Sequence, residues 1–108
     1  MPTVNEFNRE AKNICDQIVR IYQPEKVILF GSLGRGRPFP TDIDLLVIKN
    51  TKENKIKRAQ NLYRQLIWSL PLDLIVRTPA EIEAGINSGS PFFKDALAGK
   101  VIYETPRG

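Results

Sequence analysis

Phe30-Gly31-Ser32-Leu33-Gly34-Arg35-Gly36-Arg37-Pro38-Phe39-Pro40-Thr41-Asp42-Ile43-Asp44-Leu45-Leu46-Val47-Ile48 is the stretch on which the reading of this chain turns. With Lys26 to Leu29 ahead of it, Phe30 ends a short apolar, β-branched run that reads as a buried strand over residues 26–30. Glycines followed by two prolines make the next segment a loop, with one helical turn at its start. Residues 42–48 form a second strand, apolar on both faces except for two aspartates at one end. Side chains two apart on a strand share a face, so Asp42 and Asp44 project together, about 7 Å apart at their α-carbons.

Two carboxylates side by side in a partly buried cleft need a compensating charge, and a hard divalent cation with oxygen ligands, magnesium first, supplies it. The loop before them has complementary chemistry. Gly31 lets the backbone come close to a phosphate, Ser32 adds a hydroxyl, and the N–H groups of a following helical turn point at the anion. Arg35 and Arg37 either add fixed positive charge there or are simply solvated, and Gly34 and Gly36 are read as serving loop geometry.

Outward from this stretch, Thr3 and Glu6 make a capping box, and Phe7, Ala11, Ile14, Ile18 and Ile21 recur at steps of four and three. An amphipathic helix over residues 4–22 is predicted, broken by Gln23-Pro24-Glu25. Residues 50–69 read as a second helix, with Ile56, Ala59, Leu62, Tyr63, Leu66 and Ile67 on its apolar side. Lys52, Lys55, Lys57, Arg58 and Arg64 then lie over a basic face, and Trp68 falls in the core. A charge run of this kind is usually a helix's wet face, and it lacks the interleaved aromatics that stacking on single-stranded bases would want.

Residues 72–77 form a third strand, with Asp73 near its start. If that strand lies beside the second, Asp73 joins Asp42 and Asp44 in a carboxylate triad around two metal ions, an arrangement suited to phosphoryl transfer. The lesser reading of Asp73, standing close after Pro71, is a solvated strand-start residue. Thr78-Pro79-Ala80-Glu81 opens a short helix to Asn87, and Ser90-Pro91 opens another over 92–98 with Gly99 as its C-cap. A last strand at 101–103 leaves 104–108 as a loose tail. The fold class is α/β (α+β): helices packed on a small mixed sheet, in a single domain over residues 1–108 without repeat or linker.

Composition narrows the chemistry. With 42% apolar and 26% charged residues in 108, the chain is neither fibrous nor disordered. It has no histidine, which removes the commonest general base and metal ligand, so catalysis falls to carboxylates. The single cysteine, Cys15, excludes an internal disulfide and reads as a small core residue. Neither a transmembrane span nor a signal peptide is evident, which places the protein in the cytoplasm and away from membranes. A net charge of +4 favours anionic partners without choosing among them.

The Gly31-Ser32 turn, Arg35-Gly36, Asp42-Ile43-Asp44 and Asp73 together resemble the signature of the DNA polymerase beta nucleotidyltransferase superfamily, and within it the minimal nucleotidyltransferase family. The segment Phe93 to Tyr103 resembles that family's end, and Gly34 stands where alanine is usual. The resemblance implies the nucleotidyltransferase fold of the DNA polymerase beta type. It also implies Mg²⁺, two ions, bound by Asp42, Asp44 and Asp73, with Asp73 helping to deprotonate the acceptor. Gly31 and Ser32 would hold the triphosphate of ATP, with Arg35 assisting. Members are often encoded beside a HEPN-domain protein, an RNase toxin for which the nucleotidyltransferase is the antitoxin, able to transfer AMP to a partner tyrosine.

A chain this short leaves nothing over to build an acceptor-gripping domain, which points to a protein acceptor rather than nucleic acid as direct substrate. The alternatives are a non-catalytic antitoxin or binding module that neutralises its partner by occlusion, a basic nucleic-acid-binding domain, and a small-molecule transferase whose acceptor pocket forms in a homo-oligomer.

Overall fold

The first helix is set by its cap. In the computed structural model, which describes residues 1–106, Thr3 Oγ1 accepts from the Glu6 N–H at 3.1 Å and Glu6 reaches back to the Thr3 N–H. This opens α1 (Val4–Tyr22). Phe7, Ala11, Ile14 and Ile18 are buried as predicted. Gln23, in the left-handed region at φ 52°, turns the chain out of the helix.

The chain continues as β1 (Lys26–Phe30), a single helical turn α2 (Gly31–Gly34) and β2 (Ile43–Ile48). After these come α3 (Lys55–Gln65), β3 (Leu72–Arg77), α4 (Pro79–Asn87), α5 (Pro91–Leu97) and β4 (Lys100–Glu104). The four strands form one mixed sheet in the order β3-β2-β1-β4. β2 runs antiparallel to β1 with Asp44 opposite Phe30, and parallel to β3 with Asp44 opposite Asp73.

Alternation along the strands sends side chains to two cores. Val27, Leu29, Ile43, Leu45, Val47, Leu74 and Val76 pack against α1 and α3. Ile28, Leu46 and Ile48 pack against Ile82 of α4 and Ala96 of α5. The predicted class, helices on a small mixed sheet, is the observed one.

The second helix is shorter than the predicted 50–69 and phased differently. Asn54 caps its start by accepting from the Ile56 N–H. Its end is dictated from α1. Buried Gln17 donates to the Ile67 carbonyl at 2.8 Å and accepts from the Ile67 N–H at 2.9 Å, while Glu10 accepts from the Ser69 N–H. Backbone groups that would have extended the helix go to these side chains instead, and Leu66 is extended. Ile56 and Ile67, expected on the apolar side, are 70% and 81% exposed. Arg58, expected on the wet face, is buried and bonded to Glu81 at 2.6 Å. Trp68, expected in the core, is exposed and leans on the Tyr63 ring at 5.4 Å.

Two corrections fall near the chain's end. Ala98, not Gly99, is the C-cap of α5. Gly99 is small because a β-carbon there would sit 2.5 Å from the Leu29 carbonyl oxygen. The tail predicted at 104–108 starts later, because Glu104 ends β4 and the Thr105 N–H donates to the Glu25 carbonyl at 2.9 Å. Arg107 and Gly108 lie outside the described residues. Among the described residues no helix is long and apolar enough to cross a membrane.

Candidate active site

β1 carries Phe30 to a position opposite Asp44, and the chain then turns at Gly31 with φ +71°. Only glycine adopts that conformation at little cost. Space demands it as well: a β-carbon on Gly31 would overlap Asp44 Oδ2 and lie 3.0 Å from Asp44 Cγ. The turn is therefore seated directly on the carboxylate.

α2 follows at once, anchored by buried Leu33. Gly34 is held by packing and not by loop geometry, since a β-carbon there would meet the Leu29 carbonyl carbon at 2.8 Å. Gly36, with φ +71° and open space around it, keeps the loop role predicted for it. Within this turn the Ser32 hydroxyl is buried and has no hydrogen-bond partner in the protein. A buried orphan hydroxyl is uncommon in folded proteins, and this one could still donate one hydrogen bond.

β2 begins at Ile43, so Asp42 lies one residue before the strand rather than within it, its carboxylate accepting from Thr41 Oγ1 at 2.9 Å. The parallel register brings Asp73 beside Asp44, as the sequence anticipates if the two strands are neighbours. One carboxylate oxygen from each of Asp42, Asp44 and Asp73 lies within 4.8 Å of the others. Asp42 and Asp44 are half-buried and Asp73 is exposed.

Burial, then the charges of Asp42 and Asp73 and a hydrogen bond with Asp73, push the Asp44 carboxyl up to about 6. A positive charge placed among the three would oppose that rise at Asp44. Three carboxylate oxygens so gathered could hold a metal ion, and hard divalent cations prefer such oxygen donors. Cys15 takes no part: burial pushes its thiol up to about 11, and it packs in the main core, as predicted.

Gly31, Ser32, Arg35, Arg37 and Phe39 line a cleft of about 490 Å³ together with Phe92 and Asp95; the three carboxylates do not line it, and the contact of Gly31 with Asp44 joins the two. Arg35 and Arg37 are both exposed at its mouth, where Arg35 Nη2 approaches Asp95 Oδ2 at 3.9 Å. A second cleft, of about 450 Å³, lies at the opposite end of β2 over Ile48 and Ile82 and contains none of these groups.

The structure thus gathers Asp42, Asp44, Asp73, Gly31 and Ser32 and sets Arg35 at the edge. One residue of the site carries no sequence signal beyond its place on an apolar stripe. Tyr63 Oη donates to the Leu72 carbonyl and accepts from the Leu74 N–H, on either side of Asp73.

Residues 9–103 match the family described as nucleotidyltransferase domain. The fold is similar to the crystal structure of a Sulfolobus solfataricus protein provisionally described as a nucleotidyltransferase, at 1.40 Å resolution. That likeness has a TM-score of 0.64 at 23% identity and covers 93% of this chain and 90% of the other. No curated protein matches the sequence.

Proposed function

The chain belongs to the nucleotidyltransferase domain family, and from that premise we propose that it transfers AMP from ATP to a hydroxyl of a partner protein. The observation carrying the reading is the convergence of Asp42, Asp44 and Asp73 beside a glycine-serine turn whose hydroxyl is buried and unpartnered.

Magnesium held by the three carboxylates would neutralise the triphosphate and the leaving pyrophosphate and make the acceptor hydroxyl more acidic. The chain's own residues do the rest. Gly31 brings the backbone against the triphosphate, and Ser32 Oγ donates to a phosphoryl oxygen. Arg35 steadies the outer phosphates, exchanging its loose contact with Asp95 for them. Asp73, the most exposed of the three acids, takes the proton of the acceptor hydroxyl. The acceptor oxygen bonds to the α-phosphorus as the bond from that phosphorus to the bridging oxygen of pyrophosphate breaks. The products are an AMP ester and pyrophosphate.

A protein acceptor is favoured by the rim of the site. Phe39, 82% exposed, borders the cleft, and exposed Trp68 packs on Tyr63 beside β3. Exposed aromatics anchor protein interfaces. The family resemblance of the Gly31 to Asp44 stretch points to a HEPN-domain toxin as that acceptor, with this chain as its antitoxin.

The test is to incubate the protein with ATP, Mg²⁺ and the product of the adjacent open reading frame, and to weigh that partner intact. A gain of one or more AMP units that disappears with Asp42→Asn is expected. A partner neutralised without any gain in mass would replace transfer by occlusion.

A further inference from the structure

β3 is an edge strand of the sheet, and the side of it facing away from β2 is bonded by a side chain. Tyr63 Oη donates to the Leu72 carbonyl at 2.9 Å and accepts from the Leu74 N–H at 2.8 Å, so one hydroxyl bonds the backbone both before and after Asp73. On its other side Asp73 is held by the parallel ladder, opposite Asp44. The Tyr63 ring is in contact on two sides. It is half-buried against the main core and braced by Trp68, which follows Ile67 in the segment that Gln17 and Glu10 tie to α1. A continuous set of contacts thus runs from α1 to the backbone of the third carboxylate.

That carboxylate is the most open to solvent of the three. Asp73 is the exposed member, it stands one residue into its strand, and Pro71 lies just before the strand begins. Outward-facing backbone groups of an edge strand are ordinarily left to water, and the strand's end frays with them. Displacement of a reacting or coordinating group by about 1 Å is enough to cost orders of magnitude in rate.

We propose that Tyr63 is a positioning residue for Asp73: its hydroxyl fixes the start of β3 so that the Asp73 carboxylate stays with Asp42 and Asp44 around a shared cation. It acts through Asp73 and touches neither nucleotide nor acceptor. The inference rests on the functional reading above.

Tyr63→Phe, Asp73→Asn and the double variant, each in the full chain, test it. Mn²⁺ affinity is read by titration calorimetry, exchange of the Leu74 amide by NMR, and transfer by initial rates. Tyr63→Phe keeps the ring and should unfold cooperatively. It should weaken Mn²⁺ binding about 10–100-fold, the range for outer partners of metal ligands. The Leu74 amide should exchange faster, and kcat should fall with the KM for ATP unchanged. In the Asp73→Asn background the same change should leave Mn²⁺ affinity where it is. If Tyr63→Phe fails to fold, Trp68→Ala, which removes the brace, should give a smaller loss of Mn²⁺ affinity and of Leu74 amide protection, two readouts in which the acceptor takes no part.

Unchanged Mn²⁺ affinity in Tyr63→Phe beside a wild type that binds would overturn this assignment alone, as would an equal loss in the Asp73→Asn background. A wild type that binds no Mn²⁺ would overturn the functional reading and this inference with it.

Discussion

Gly31 and Asp44 are packed so closely that only a hydrogen atom fits on the glycine's α-carbon on the side facing the carboxylate. Turn and acid therefore hold one another in place. Gly31→Ala must both leave the left-handed region and push the Asp44 side chain away. The expected cost is about 2–4 kcal/mol from strain and overpacking together. Chemical denaturation measures it, and AMP transfer should be lost even at temperatures where the variant is folded.

The raised Asp44 carboxyl fixes the direction of a pH effect. Its value in the folded chain, about 6, lies above the ordinary 3.8. Asp44 thus favours the fold while protonated, below the ordinary value, and that contribution is lost as pH rises through about 6. Without metal, the protein should lose stability across this window, and Asp44→Asn should remove the loss, gaining on the order of 1 kcal/mol at neutral pH after solvent screening. Thermal melts of both proteins between pH 4 and 8, in chelator, test it.

Divalent cations should reverse that trend. Proton and metal compete for Asp44, so Mg²⁺ or Mn²⁺ affinity should climb as pH passes 6 and level off above it. Melting temperature against metal concentration at each pH gives the affinity. A pH-independent affinity would place the cation elsewhere.

Removing single carboxylates should abolish transfer with little damage to the fold. Asp42→Asn or Asp73→Asn is expected to lower the rate about 100-fold or more, because each withdraws charge from where the transition state needs it. Melting temperatures should stay level or rise, as is common when like charges at a site are reduced. Variants that lose transfer yet still neutralise the partner would favour occlusion.

Far from the site, Arg58 and Glu81 tie α3 to the first turn of α4. The hydrogen bond from Arg58 holds the Glu81 carboxyl down at about 2. The pair's stabilisation is therefore fully present above the ordinary value of 4.5 and lost as pH falls through about 2. Arg58→Ala also strands Glu81 and the cap it completes at Thr78, and should cost about 3 kcal/mol by denaturant titration.

How far the structure could be read from the chain follows the range of the forces involved. α1 and α4 are legible because each begins with a capping box, a contact between residues three apart. β1, the α2 turn and the Asp42–Asp44 pair are equally local. The end of α3 is not, since it is set by Gln17 and Glu10, which act across 50 and 59 residues. Arg58 reads as a wet-face residue because its partner lies 23 residues away on another helix. The site divides in the same way. Asp73 needed only the assumption that β2 and β3 are neighbours, whereas Tyr63 bonds to backbone atoms, which no residue pattern encodes.

The pairing of Asp44 with Asp73 also bears on how the chain folds. It closes a loop of 29 residues through a parallel ladder, and such non-local parallel contacts form late and slowly. A partly folded chain without that ladder does not bring Asp73 to the other two acids, so a divalent cation should favour molecules that have completed it. Added metal should therefore slow unfolding and leave the refolding rate nearly unchanged, which would make the cation a latch on the finished fold.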